Sequence, residues 1–154
     1  MFWILNSESC ILALMSIWHK KFTIEDAEKS RKGTMVDHLG MEFTEIGDDF
    51  LTAKMPVDYR TLQPYGIMHG GASCALAETV GSIAANYCLD PKKNRAVGVE
   101  INTSHLKMVR SGYVYGTAKP LHLGRSTQVW EIHINDDAGN LISVSRLRMA
   151  VLDV

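Results

Sequence analysis

The segment from Gln63 to Ser82 reads Gln-Pro-Tyr-Gly-Ile-Met-His-Gly-Gly-Ala-Ser-Cys-Ala-Leu-Ala-Glu-Thr-Val-Gly-Ser. It gathers an amide (Gln63), an imidazole (His69), two glycines (Gly70 and Gly71) and one carboxylate (Glu78). These are the groups that attack on a carbonyl requires: N–H donors to hold the oxygen that becomes negative, and a carboxylate to attack or to activate water. A Pro-Tyr-Gly turn leads to His69, and from there Ala72, Ala75, Leu76, Val80, Ile83 and Ala84 follow the apolar spacing of a helix. The Gly70 N–H then lies at a helix N-terminus, where amides lack intrahelical partners and the helix dipole is positive. Ala77, Gly81 and Ala85 fill much of the other side, so the helix is expected to be buried nearly all round, and a lone carboxylate on it needs a partner or a purpose.

Gly70 and Glu78 are eight positions apart, about 12 Å along one helix. They cannot serve one reacting atom. If Gly70 polarises a carbonyl, the attacking Glu78 belongs to a second copy of the helix, and the simplest arrangement is a two-fold dimer with antiparallel helices and two equivalent sites.

The elements that would position these groups are legible in outline. Thr23-Ile-Glu-Asp26 offers an N-cap and an acidic first turn for a short helix ending near Lys32, before Gly33. Short extended segments at 40–46 and 50–55 flank Gly47-Asp48-Asp49, a hairpin signal. The long helix spans His69 to about Leu89. Four β-like runs follow, Val97 to Leu106, Tyr113 to Lys119, Thr127 to Ile134 and Leu141 to Val151, broken by Ser111-Gly112, by Pro120 to Gly124 and by Asp136 to Asn140 at spacings that suit meanders. One long apolar helix among about six strands with hairpin-type connections predicts an α+β domain whose antiparallel sheet wraps around the helix.

At 154 residues the chain suits a single domain. Its 16 Lys+Arg against 17 Asp+Glu give no basic excess, which argues against a nucleic-acid partner. The apolar runs Phe2 to Leu5 and Ile11 to Leu14 are split by polar residues and preceded by no Lys or Arg, so neither a signal peptide nor a membrane span is expected. Residues 1–14 read as an N-terminal extension without assigned function, and 15–154 as the domain. Cys10, Cys74 and Cys88 form no even, spaced framework, and the last two are 14 positions apart on the helix, so reduced thiols and a cytoplasmic location are expected.

Further residues carry a resemblance. Met55-Pro-Val-Asp58, Arg60-Thr, Gln63-Pro-Tyr-Gly, His69-Gly-Gly-Ala-Ser, Leu76-Ala-Glu78, Gly81-Ser82, Val97-Gly98, Glu100-Ile-Asn102, His105, Lys119-Pro-Leu-His-Leu-Gly124, Gln128-Val-Trp130 and Ser145-Arg146-Leu stand in the order found in a known family. From about Met15 to the C-terminus the chain resembles the hotdog-fold acyl-CoA thioesterases, in the branch that hydrolyses aromatic acyl thioesters. The resemblance implies a hotdog fold, dimers that join into homotetramers, and an acyl-CoA or carrier-protein thioester as substrate. It implies that Glu78 is the nucleophile or general base, that Gln63 and the Gly70 amide hold the thioester oxygen, that His69 positions them, and that Ser82 lies near the attacking water. Ser82 is one helical turn beyond Glu78 on the same face, a spacing that suits this role. The resemblance also assigns contacts with coenzyme A to Gly98, to His105-Leu106-Lys107-Met108 and to His122-Leu123-Gly124-Arg125-Ser126-Thr127. At Lys107 and Met108 the chain departs from the arginine and small polar residue that the resemblance to some members leads one to expect.

No cofactor is expected beyond the CoA of the substrate, and no metal, since no Cys/His pair has ligand spacing. His19, His38 and His133 read as surface or strand histidines. Ser73 lies beside two glycines but not in a Gly-x-Ser-x-Gly elbow, and its position reads as chance. Two other functions share this fold and stay open at the sequence level: a hotdog hydratase or dehydratase, and a non-catalytic acyl-CoA-binding protein.

Overall fold

The computed structural model describes residues 16–29 and 31–154; the extension assigned to residues 1–14, with Cys10, lies outside the described residues. Six strands form one antiparallel sheet: β1 (Glu42–Ile46), β2 (Leu51–Pro56), β3 (Asn94–His105), β4 (Tyr113–Leu123), β5 (Thr127–Asp136) and β6 (Leu141–Asp153), in the spatial order β1-β2-β4-β5-β6-β3. The sheet wraps around the 18-residue helix α3 (Gly70–Tyr87). Among the described residues no helix is long and apolar enough to cross a membrane.

Alternation along the strands builds the core. On β5 the side chains of Gln128, Trp130, Ile132 and Ile134 are buried, and on β6 those of Ser143, Ser145, Leu147 and Met149. These meet Ala72, Leu76, Ala77, Val80, Ala84 and Ala85 of α3. Small helix residues let a twisted sheet approach closely, while Trp130 fills the largest gap and donates its indole N–H to Gln128, whose own amide reaches the Ala85 carbonyl.

Several sequence-based expectations are corrected. The short helix α1 covers only Ile24–Glu28, closed by a capping box between Thr23 and Asp26, and a second short helix, α2 (Met35–His38), follows. The meander holds for β4-β5-β6, but β3 does not neighbour β4: it crosses to the far edge and pairs with β6. Pro120 does not end β4. The partner strand β2 stops at the level of Ala118, so beyond it β4 has a neighbour on one side only and a residue without an N–H is tolerated; Pro120 stays in register with Trp130, and a bulge at Leu121 follows. The helix is not buried all round: the sheet covers one side, and Glu78 on the other is exposed in the single chain.

The start of the edge strand β3 is fastened to α3 by one side chain. Asn86 accepts from the Ala96 N–H and donates to the Ala96 and Ser82 carbonyls. At the same end of the helix, Phe22 stacks on Tyr87 at 3.7 Å, and nearby Trp18 donates to the Gly47 carbonyl.

Candidate active site

The loop from β2 to α3 carries Gln63 and is held from several sides. Arg60 grips the Asp58 carboxylate with two nitrogens, at 2.6 Å for the shortest contact, and this pairing holds the Asp58 carboxyl below its usual range. The Thr61 hydroxyl donates to the Pro56 carbonyl, Met68 N–H donates to the Val109 carbonyl, and Gln63 closes a tight turn with Gly66 and Ile67. The loop ends at His69, the N-cap of α3. Its main chain donates to Thr61, and its ring Nδ1 accepts from the Gly71 N–H at 2.8 Å. The His69 carbonyl accepts from Ala72 and Ser73. Of the first-turn amides, the Gly70 N–H is left without a hydrogen bond among the described residues.

That amide opens on a cavity of about 310 Å³ lined by Gln63, Gly70, Ser73, Ile142 and the segment from His105 to Val109. His105 ends β3 and lies against the helix start: a Cβ on Gly70 would stand 2.8 Å from its Nε2. In this position of the ring there is no room for a side chain at 70. His69 does not line this cavity. It caps the helix, and by tying up the Gly71 amide it fixes the turn from which the Gly70 N–H projects.

Two turns further along α3, Glu78 lines a separate cavity of about 360 Å³ with Ser82 and with Met35, Val36, Ala75, Thr79 and Ile83. Its carboxylate makes no hydrogen bond or ion pair among the described residues. It lies over β3 at Gly98, where a Cβ would stand 2.7 Å from Oε1. A side chain at 98 would displace the end of the Glu78 side chain from where it now lies. The structure thus brings Gln63, Gly70 and His105–Met108 together, and Glu78, Ser82 and Gly98 together, but in one chain the two groups remain apart, about 12 Å along the helix.

The remaining segment lies elsewhere. Gly124, Arg125 and Ser126 turn from β4 into β5 beside Leu89, Asn94, Val151 and Asp153, at the C-terminal end of α3. His122 packs on Gly124, and Leu123 and Thr127 pair with Gln128 and Ala150 respectively. Ala150 in turn faces Val97 on β3. His105 is eight residues along from Val97, so the 122–127 turn and the 105–108 segment of one chain are roughly 25 Å apart along the strands. Among the described residues no group of three His, Cys, Asp or Glu side chains stands close enough to hold a metal ion.

A family model described as the thioesterase superfamily matches residues 65–143, the span from the Gln63 turn to β6. The chain belongs to the thioesterase superfamily. It is a thioester hydrolase of the hotdog fold. It is similar to a proofreading thioesterase of Cronobacter turicensis, at 50% identity over 88% of this chain and 98% of that protein. To the 1,4-dihydroxy-2-naphthoyl-CoA hydrolase of Escherichia coli it is 48% identical, over 88% of this chain and 99% of that enzyme. Among solved structures, a mutant thioesterase from Pseudomonas aeruginosa superposes with a TM-score of 0.89 at 43% identity, over 90% of this chain and all of that one (100%).

For a superfamily member, the sequence left three groups unread. Met35 and Val36 on α2 form one wall beside Glu78; a four-residue helix has too little periodicity to be seen in sequence. Ile142 reaches the Gly70 cavity from β6. Ser73 donates to the Gly70 carbonyl at 2.8 Å and meets His105 Nδ1 at 3.3 Å, contacts that no local motif announces.

Proposed function

We propose that the chain hydrolyses the thioester of an acyl-CoA bearing an aromatic, hydroxylated acyl group, and that it does so as a two-fold dimer in which each site takes Gly70 and Gln63 from one copy and Glu78 from the other. The observation that carries this reading is the division of labour within one chain. An unpartnered N–H with an amide side chain beside it lines one cavity, and an unpartnered carboxylate lines another, too far off to meet it. Antiparallel pairing of two α3 helices about Cys74, midway between them, would join the halves twice over. The outer edge of β3 favours this pairing, since it runs beside the Glu78 face and carries the exposed Val97 and Val99. The same operation carries the partner's 122–127 turn to the side of this copy's 105–108 segment, so Lys107 and Arg125 can both serve the phosphates of one CoA. Joining of such dimers into a tetramer is what the resemblance implies.

In the reaction the Gly70 N–H, aided by the helix dipole, and the Gln63 amide hold the thioester oxygen as it becomes negative. Glu78 either attacks the carbonyl carbon itself or takes a proton from the water that does, with Ser82 beside it. The C–S bond breaks, and the thiolate leaves and is protonated from solvent; where Glu78 itself attacks, a water then cleaves the resulting anhydride, releasing the free acid and restoring the carboxylate. The E. coli relative is named for a naphthoyl thioester, and the largely apolar walls beside Glu78 suit a flat ring system. Release of free thiol from 1,4-dihydroxy-2-naphthoyl-CoA, benzoyl-CoA, hydroxybenzoyl-CoA and aliphatic acyl-CoAs tests the reading. Release should peak on an aromatic ester and disappear in Glu78→Ala with the fold intact. Tight binding without release, or change to the acyl chain with the thioester intact, would sink it.

A further inference from the structure

Ser73 is fully buried, and its one hydroxyl proton is committed. The hydroxyl donates to the Gly70 carbonyl at 2.8 Å, a group that can only accept. Toward His105 Nδ1, at 3.3 Å, its oxygen can therefore act only as acceptor, so the proton between them belongs to Nδ1. The neutral ring then carries its lone pair on Nε2. That atom lies over the space left by the missing Gly70 side chain, at the wall of the cavity onto which the free Gly70 N–H opens. A donor and an acceptor thus stand side by side at the helix start: Gly70 N–H, which can hold a carbonyl oxygen, and His105 Nε2, which can take an N–H.

We propose that Ser73 is a positioning residue that fixes the tautomer of His105, and that His105 Nε2 accepts a hydrogen bond from an amide N–H in the thiol arm of the substrate. Such an arm carries its amide two carbons from the sulfur in both coenzyme A and the phosphopantetheine of a carrier protein, so the contact reads the thiol half of the thioester and is indifferent to the acyl half. This deepens the thioesterase reading and rests on it. Thiol esters without that amide should be poorer substrates through weaker binding, with the chemical step little changed.

Two measurements test the pair. Nitrogen-15 NMR of the histidine rings should show His105 as the Nδ1–H tautomer in the wild type, and a shift toward Nε2–H in Ser73→Ala. Kinetics should compare an aromatic acyl thioester of N-acetylcysteamine with its counterpart in which an ester oxygen replaces the amide N–H. The wild type should favour the amide compound by about fivefold to tenfold in KM, the worth of one ordinary hydrogen bond, and Ser73→Ala should lose most of that preference. An Nε2–H tautomer in the wild type would overturn the proposal. So would a Ser73→Ala variant that loses activity equally on both compounds, since that marks a merely structural serine. If the wild type hydrolyses neither, the thioesterase reading fails instead, and the tautomer and the relative binding of the two compounds, followed by NMR titration, still decide the role of Ser73.

Discussion

Gly70 is where the smallest change should have the largest effect. A single added carbon there would stand 2.8 Å from His105 Nε2 and would have to displace the ring from the mouth of the cavity. Gly70→Ala is therefore expected to keep the helix, where alanine is favourable, while lowering kcat by about 10²–10³, the cost of disabling one oxyanion donor. Circular dichroism and steady-state kinetics on the same sample separate the two effects. The placement of the candidate residues was legible in sequence where one local stretch contained it: Gly70 and Glu78 stand out by their spacing on one helix, and Gln63 by its turn just before it. Ser73 was not, because its significance depends on His105, 32 positions away on a strand whose place in the sheet only the crossover of β3 determines. His69 was legible as a helix-start residue, and the structure shows the means, a ring nitrogen accepting from Gly71.

Two fastenings decide how the elements present these residues. Asn86 satisfies both main-chain groups of Ala96 and so holds the start of β3, with Gly98 two residues on, against the helix that carries Glu78. Asn86→Ala leaves buried main-chain groups unpaired and should cost about 1–3 kcal/mol, read as a lower Tm together with faster amide exchange at Ala96. The second fastening is the Asp58–Arg60 pair below the Gln63 turn. The Arg60 guanidinium lowers the Asp58 pKa in the folded protein, so the pair's contribution is complete above the carboxyl's ordinary value and is lost as pH falls through the depressed folded value. Both side chains are partly exposed, which keeps the effect modest. The protection of amides across residues 57–68, taken relative to intrinsic exchange at each pH, should accordingly fall in acid, below about pH 4, in the wild type, and Arg60→Ala should show the lower protection already at neutral pH. The strands and the long helix were legible in the sequence because their periodicities are strong. The position of β3 was not, since a strand's hydrophobic pattern specifies which face is buried and not which neighbour it pairs with. Nor was the continuation of β4 through Pro120, which is tolerated only because β2 has already ended.

Taken as a whole, one chain presents the Gly70 cavity and the Glu78 carboxylate at separate places along α3, and the proposal reads each as half of a site. The sheet covers only one side of α3, so Glu78 remains open to solvent, and the long β3 leaves an edge without a neighbouring strand. In the proposed dimer a second copy covers that open side, which would reconcile the exposed Glu78 with the buried all-round helix that composition suggests. Mixing two inactive variants tests this most directly. Gln63→Ala and Glu78→Ala each damage both sites of their own dimer, whereas a mixed dimer contains one site with native Gln63 and native Glu78 and one site with neither. Equal amounts, unfolded and refolded together, should recover about a quarter of wild-type thiol release, because half of the dimers are mixed and each has one intact site of two. Recovery at that level is the predicted result; activity no greater than that of the separately refolded variants would contradict a site shared between copies.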